Sequence, residues 1–94
     1  YASLLISKVK FNFVIMNKDK FDKLALNQKG NYVFGKGEFV GVRTYYGIKV
    51  ALYCVNHIYI EVFYNQNVNE IDRIELIEEE YVHKLYLNKI NLNL

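Results

Sequence analysis

Glu61 is the one acidic side chain in VALYCVNHIYIEVFYN, residues 50–65, a stretch that is otherwise almost wholly apolar or aromatic. A carboxylate drawn out of water among such neighbours has its pKa pushed up, which is what a general base requires. No catalytic partner set accompanies it. The only serines, Ser3 and Ser7, lie in the N-terminal stretch, and Cys54 has no nearby basic residue to hold a thiolate, so it reads as a small buried hydrophobe. The expectation for Glu61 is structural: an ion pair with Arg43 or Arg73, or a place at a face boundary in reach of water.

Metal and nucleotide chemistry fare no better. His57 falls in a turn signal, and His83 has only Glu79 and Glu80 at i−4 and i−3, an incomplete ligand set. GKGEFVG, residues 35–41, has the glycine content of a phosphate loop. It leads from helix into strand, the reverse of the order that aims a helix dipole at a phosphate, and reads as a helix end and tight turn. No metal and no cofactor are expected.

The aromatic residues Tyr45, Tyr46, Tyr53, Tyr59, Phe63 and Tyr64, interleaved with Arg43 and Lys49, form the constellation with the most functional character. Sheet-borne aromatics beside cations can stack single-stranded nucleic acid, each base contributing about 1 to 3 kcal/mol. Tyrosine is equally the residue of half-wet sheets and protein interfaces. The net charge of +2 favours the second reading, because nucleic-acid binding rests on a strong positive field. The candidate interaction surface is therefore Arg43, Tyr45, Lys49, Tyr53, Tyr59, Glu61, Phe63 and Tyr64.

These side chains need a scaffold, and 94 residues make a single small domain, residues 1–94, with a modest core. No apolar run approaches the roughly 20 residues of a membrane span, so no membrane partner is expected. One cysteine excludes an intrachain disulfide framework and fits a reducing cytoplasm. The bias toward Asn, Lys, Ile and Tyr is that of codons rich in A and T, as in some bacterial, phage or plasmid genomes. Met16 directly precedes the polar NKDK, so residues 1–15 read as an upstream extension; Lys8 and Lys10 interrupt it, against a signal peptide.

Hydrophobic periodicity supplies the elements. Val9, Phe11, Phe13 and Ile15 alternate as in a strand. From Lys18 a helical stripe of Phe21, Leu24, Ala25, Gln28 and Tyr32 predicts one helix to about Phe34, with Asp19 as cap, Gly30 as a weak point and Gly35 and Gly37 as its end. Strands follow at residues 39–45, 48–55, 58–64 and 71–77. They are joined by turn signals at Tyr46-Gly47, Asn56-His57 and NQNVN, residues 65–69. Asp72, Arg73 and Glu75 mark the fourth strand as an edge. Glu78 to Glu80 open a short C-terminal helix with an apolar stripe of Tyr81, Val82, Leu85 and Tyr86. Ile90, Leu92 and Leu94 alternate as a strand-like tail that could pair with an exposed edge.

The fold class is thus α+β: an N-terminal helix packed on a four-stranded antiparallel β-meander, a short C-terminal helix, and room for further strand pairing at the termini. Pairing Val55 with Ile58 sets Tyr53 opposite Ile60, Ala51 opposite Val62 and Lys49 opposite Tyr64. Both faces of this hairpin are then apolar, so both must be covered. The N-terminal helix can cover one; the C-terminal helix, the N-terminal strand or a second copy must cover the other. The reading that follows is a non-enzymatic protein-interaction or regulatory module, homodimeric through its tyrosine-rich sheet. The alternative is a single-strand nucleic-acid binder using Tyr45, Tyr53 and Tyr59 with Lys49 and Arg43.

Overall fold

The computed structural model describes residues 16–90. The strand expected at residues 9–15 and most of the alternating tail, residues 91–94, lie outside them. Within the described residues the order is α1 (Lys18–Asp22), α2 (Leu26–Lys36), β1 (Glu38–Tyr45), β2 (Ile48–Val55), β3 (Ile58–Asn65), β4 (Glu70–Ile77) and α3 (Glu79–Ile90). The strands form one antiparallel sheet in the order β1-β2-β3-β4. This is the expected α+β meander, with β1 and β4 as its edges.

Turn chemistry sets the hairpins. Tyr46 and Gly47 have φ of 49° and 80°, and Asn56 and His57 have φ of 49° and 67°. Two successive positive φ values make the tight turn whose twist matches that of paired strands. With the second turn held to two residues, Val55 pairs with Ile58, Tyr53 with Ile60, Ala51 with Val62 and Lys49 with Tyr64, the register read from the sequence.

The N-terminal helix departs from expectation. It is two helices, broken across Lys23 to Ala25. Asn17, not Asp19, caps the first, its side chain accepting from the Lys20 N–H at 2.9 Å; Asp19 sits in the first turn, where its charge complements the helix dipole. Ala25 turns extended, and its N–H donates to Gln28 Oε1 at 2.9 Å. The break has a packing reason. In one continuous helix Phe21 and Val33 would point roughly 120° apart, given about 3.6 residues per turn. Broken, both reach the core, where they are 1% and 0% exposed. Gln28, placed on the apolar stripe by periodicity, is exposed and serves the second helix's start.

Helices α1 and α2 cover one sheet face, packing Phe21 and Val33 on Val55, Ile60, Val62 and Ile74. Helix α3 covers part of the other, setting Val82 and Tyr86 against Leu52, with Val40, Tyr59 and Ile77 around them. The three-layer arrangement is thus built within one chain. Helix α3 is also longer than its stripe implied: no Gly or Pro stops it after Lys84, and Ile90, read as part of a strand-like tail, is its last residue.

The glycines in and just after α2 play different parts. A Cβ at Gly37 would lie 2.5 Å from the Val33 carbonyl oxygen, so only glycine lets the chain leave α2 and enter β1 there; its φ of −85° needs no special freedom. Gly35, expected to help end the helix, lies inside it. A Cβ at Gly30 would meet the Ile74 side chain at an ordinary 3.7 Å. Gly30→Ala should therefore raise unfolding stability by about 0.5 to 1 kcal/mol through helix propensity, while Gly37→Ala should lower it, with urea titration followed by circular dichroism reading both. Destabilisation by Gly30→Ala would mean that the α2–β4 contact is tighter than described.

Candidate functional site

Strand alternation and the register assign each candidate residue to a face. Arg43, Val50, Phe63 and Arg73 form one cross-strand row, and Gly41, Leu52, Glu61 and Glu75 the next, on the α3 side. Phe39, Tyr53, Ile60 and Leu76 form a row on the opposite side, followed by Val42, Ala51, Val62 and Ile74, then Thr44, Lys49, Tyr64 and Ile71. The eight residues expected to make one surface are thereby divided. Arg43, Tyr45, Tyr59, Glu61 and Phe63 lie on the α3 side; Lys49, Tyr53 and Tyr64 lie on the α1–α2 side.

On the α3 side the centre is an ion pair. The Glu61 side chain is 6% exposed and that of Arg43 14%. Arg43 donates through Nε to Glu61 Oε2 at 2.8 Å and through Nη2 to Oε1 at 3.2 Å. This fork is the strong geometry for guanidinium and carboxylate. Tyr86 of α3 donates its hydroxyl to the same Oε2 at 2.5 Å. Both carboxylate oxygens are thus engaged by side chains, and the arrangement ties β1, β3 and α3 together at one point.

Of the two arginines the sequence offered to Glu61, Arg43 is the partner. Arg73 instead pairs with Glu75 at 3.2 Å and lies over the Phe63 ring, 3.9 Å from its centroid. Arg43 itself stands 5.4 Å from the Tyr45 ring centroid and 6.0 Å from those of Phe63 and Tyr86, within range of cation–π attraction. Tyr86 was legible only as part of an apolar helical stripe. The signal that could have found it is Glu61: a buried carboxylate has about four acceptor sites, and a guanidinium fork fills two of them.

Burial, the hydrogen bond to Glu61 and its charge together raise the Tyr86 pKa well above the ordinary phenol value, and the same carboxylate raises that of Arg43. For Tyr86 the stability linked to the proton is fully present below the unfolded pKa of about 10 and is lost as pH rises through the folded value, because the unfolded phenol ionises first.

The α1–α2 side is covered unevenly. Over its β1 half, Tyr53 stands between two exposed phenylalanines, with ring centroids 5.6 Å from Phe34 and 5.8 Å from Phe39, both edge to face. Phe34 is 51% exposed, Phe39 61% and Val42 40%. Beside them runs an open groove of about 270 Å³, lined by Phe34, Val42, Lys49, Ala51, Tyr53, Val62, Tyr64 and Ile71. Tyr64 hydrogen-bonds Asn69 at its rim. Phe34, Phe39 and Val42 were not singled out by sequence reasoning. Phe34 falls at the expected helix end, and in a β-strand an apolar residue on a half-covered face has the same local pattern as one in the core.

Among the described residues no group of three or more His, Cys, Asp or Glu side chains is placed to hold a metal ion. His57 is exposed in its turn, His83 is exposed 3.8 Å from Glu79, and Cys54 is half-buried and free. No described helix is long and apolar enough to cross a membrane.

Arg43→Met strands the Glu61 charge and should cost about 3 to 5 kcal/mol, whereas Arg43→Met combined with Glu61→Leu should recover most of that loss, both measured by urea unfolding. Additive losses in the double variant would show that the pair is not coupled. Tyr86→Phe should cost about 1.5 to 3 kcal/mol at neutral pH. Above pH 10 the wild type should lose stability more steeply than Tyr86→Phe; parallel pH profiles would place the Tyr86 proton outside the linkage.

No family model matches the chain, and neither does any curated protein or solved structure.

Proposed function

We propose that this chain is a small non-enzymatic interaction module that works by docking the β1 half of its sheet, uncovered among the described residues, onto another protein surface, a second copy of itself in the first instance. The observation that carries the reading is the cluster of Phe34, Phe39 and Val42, all exposed, around the half-buried Tyr53 and the open groove at its side. Aromatic side chains gathered at the surface in edge-to-face contact bury large area at low entropic cost when a partner arrives. On β4, Ile74 is buried under α2, while Ile71 lines the groove.

The expected role for a second copy shifts accordingly. The sequence placed it over whichever hairpin face the N-terminal helix left bare, but α3 lies on that face. Among the described residues the exposed cluster of Phe34, Phe39 and Val42 is on the α1–α2 side, toward β1. The nucleic-acid reading draws less support from this arrangement: Tyr53 and Lys49 lie on one side, Tyr45, Tyr59 and Arg43 on the other, and Arg43 is engaged by Glu61. A single strand laid across the sheet would meet only one of these sets.

The test is the solution mass by light scattering after size exclusion, across a hundredfold range of concentration. The wild type is expected as a dimer that dissociates on dilution, and Phe34→Ser with Phe39→Ser should shift it to monomer with an unchanged circular dichroism spectrum. A wild type that stays monomeric at every concentration would overturn the homodimer, and a dimer indifferent to both substitutions would overturn this surface.

A further inference from the structure

The two sheet edges differ in how they are defended. Strand β4, EIDRIELI, carries Glu70, Asp72, Arg73 and Glu75, charges that discourage a strand from another chain. Strand β1, EFVGVRTY, carries only Glu38 and Arg43, and Arg43 is turned onto Glu61. Its exposed apolar residues Phe39 and Val42 stand at the same edge. Among the described residues nothing pairs with the outer side of β1.

We infer that the β1 edge is itself the dimer contact: it pairs antiparallel with β1 of a second copy, Phe39 opposite the partner's Val42, joining two four-stranded sheets into one. This deepens the interaction reading above and rests on it.

The occupant is argued from self-complementarity. In an antiparallel pair, directly opposed residues share a face, so a two-fold contact must match residues from the same side of the sheet. A regular strand would put residues 39 and 42 on opposite sides. The β-bulge of β1, where the register slips between Phe39 and Gly41, adds one residue and brings Phe39 and Val42 onto the same side. With the two-fold axis between Val40 and Gly41, Phe39 meets the partner's Val42 on the α1–α2 side, and Glu38 meets the partner's Arg43 on the α3 side. Opposite charges then face one another at both ends. Glu38 is exposed and has no ion pair among the described residues, and Glu61 occupies Nε and Nη2 of Arg43 but not Nη1. Val40 falls opposite Gly41, whose missing side chain leaves it space. The pairing also makes the two exposed aromatic patches continuous across the axis, which is the isologous geometry of a two-fold dimer.

The test uses the full chain in a Cys54→Ala background with Phe39→Cys and Val42→Cys together. Within one chain these positions are about 10 Å apart at roughly 3.3 Å per residue, too far to bridge; across the proposed axis they are opposite. Mild oxidation should convert the double variant to a species of twice the mass, while each single variant stays largely uncross-linked. Amide exchange on the wild type supplies a readout free of substitution: the β1 N–H groups pointing away from β2 should be protected at high concentration and lose protection on dilution. A wild-type dimer without the cross-link and without concentration-dependent protection would overturn edge pairing while leaving the interaction reading in place. A wild type monomeric throughout would overturn both. Protection of the outer β1 amides that persists in the monomer would mean that the edge is covered within its own chain, and would overturn the inference too.

Discussion

A carboxylate at the centre of a sheet is the constraint around which one side of this molecule is arranged. Glu61 sits in β3 with Leu52 on one side and Glu75 on the other, and burial of its charge would cost several kcal/mol if it were unpaired. Arg43 comes from the edge strand and Tyr86 from the last helix, so the charge is compensated only when β1 and α3 are both in place. A group that would be a liability in isolation thus fixes the position of α3 over Leu52. A purely apolar contact would let that helix slide; the directed hydrogen bond from Tyr86, onto a carboxylate that Arg43 holds in place, does not.

Among the described residues the other side of the sheet is held mainly by apolar packing, with one hydrogen bond from Lys29 Nζ to the Ile74 carbonyl at 3.3 Å. Phe21 and Val33 together reach Val55, Ile60, Val62 and Ile74, and two short helices of five and eleven residues reach no further. Breaking the helix lets both residues face the sheet, but it concentrates cover over β3 and β4. Phe34, one residue beyond Val33, is left at the margin with its ring against Tyr53 and half its surface in water. Among the described residues the exposed patch is therefore a consequence of helix placement, and it borders the less charged edge of the sheet.

Apolar exposure and a lightly charged edge at the same strand are normally kept apart, because together they favour association between chains. On β4 they are kept apart: Asp72, Arg73 and Glu75 stand at the edge, and Ile74 is buried under α2. On β1 the blunting feature is the bulge, and it brings Phe39 and Val42 to one side of the sheet. A role in which that edge meets another strand gives all three features a common reason.

Local rules recovered the strands, their order and the register of the central hairpin, because a period of two and a two-residue turn are properties of a few adjacent residues. They also marked Glu61 as a group needing an ion pair and narrowed its partner to two arginines. They did not reveal the helix break at Lys23 to Ala25, since periodicity treats Phe21, Leu24, Gln28 and Tyr32 as one stripe, and only the sheet decides that Val33 is wanted inside. They divided the hairpin between two faces, Lys49, Tyr53 and Tyr64 on one and Tyr59, Glu61 and Phe63 on the other, but could not show that those faces are unequally covered. By itself the sequence determined which residues alternate, where the chain turns and which charge must be paired. The tertiary structure decided which arginine pairs it, that Tyr86 joins it, and, among the described residues, which half of the sheet is left bare, because each depends on parts of the chain that meet only in the folded molecule.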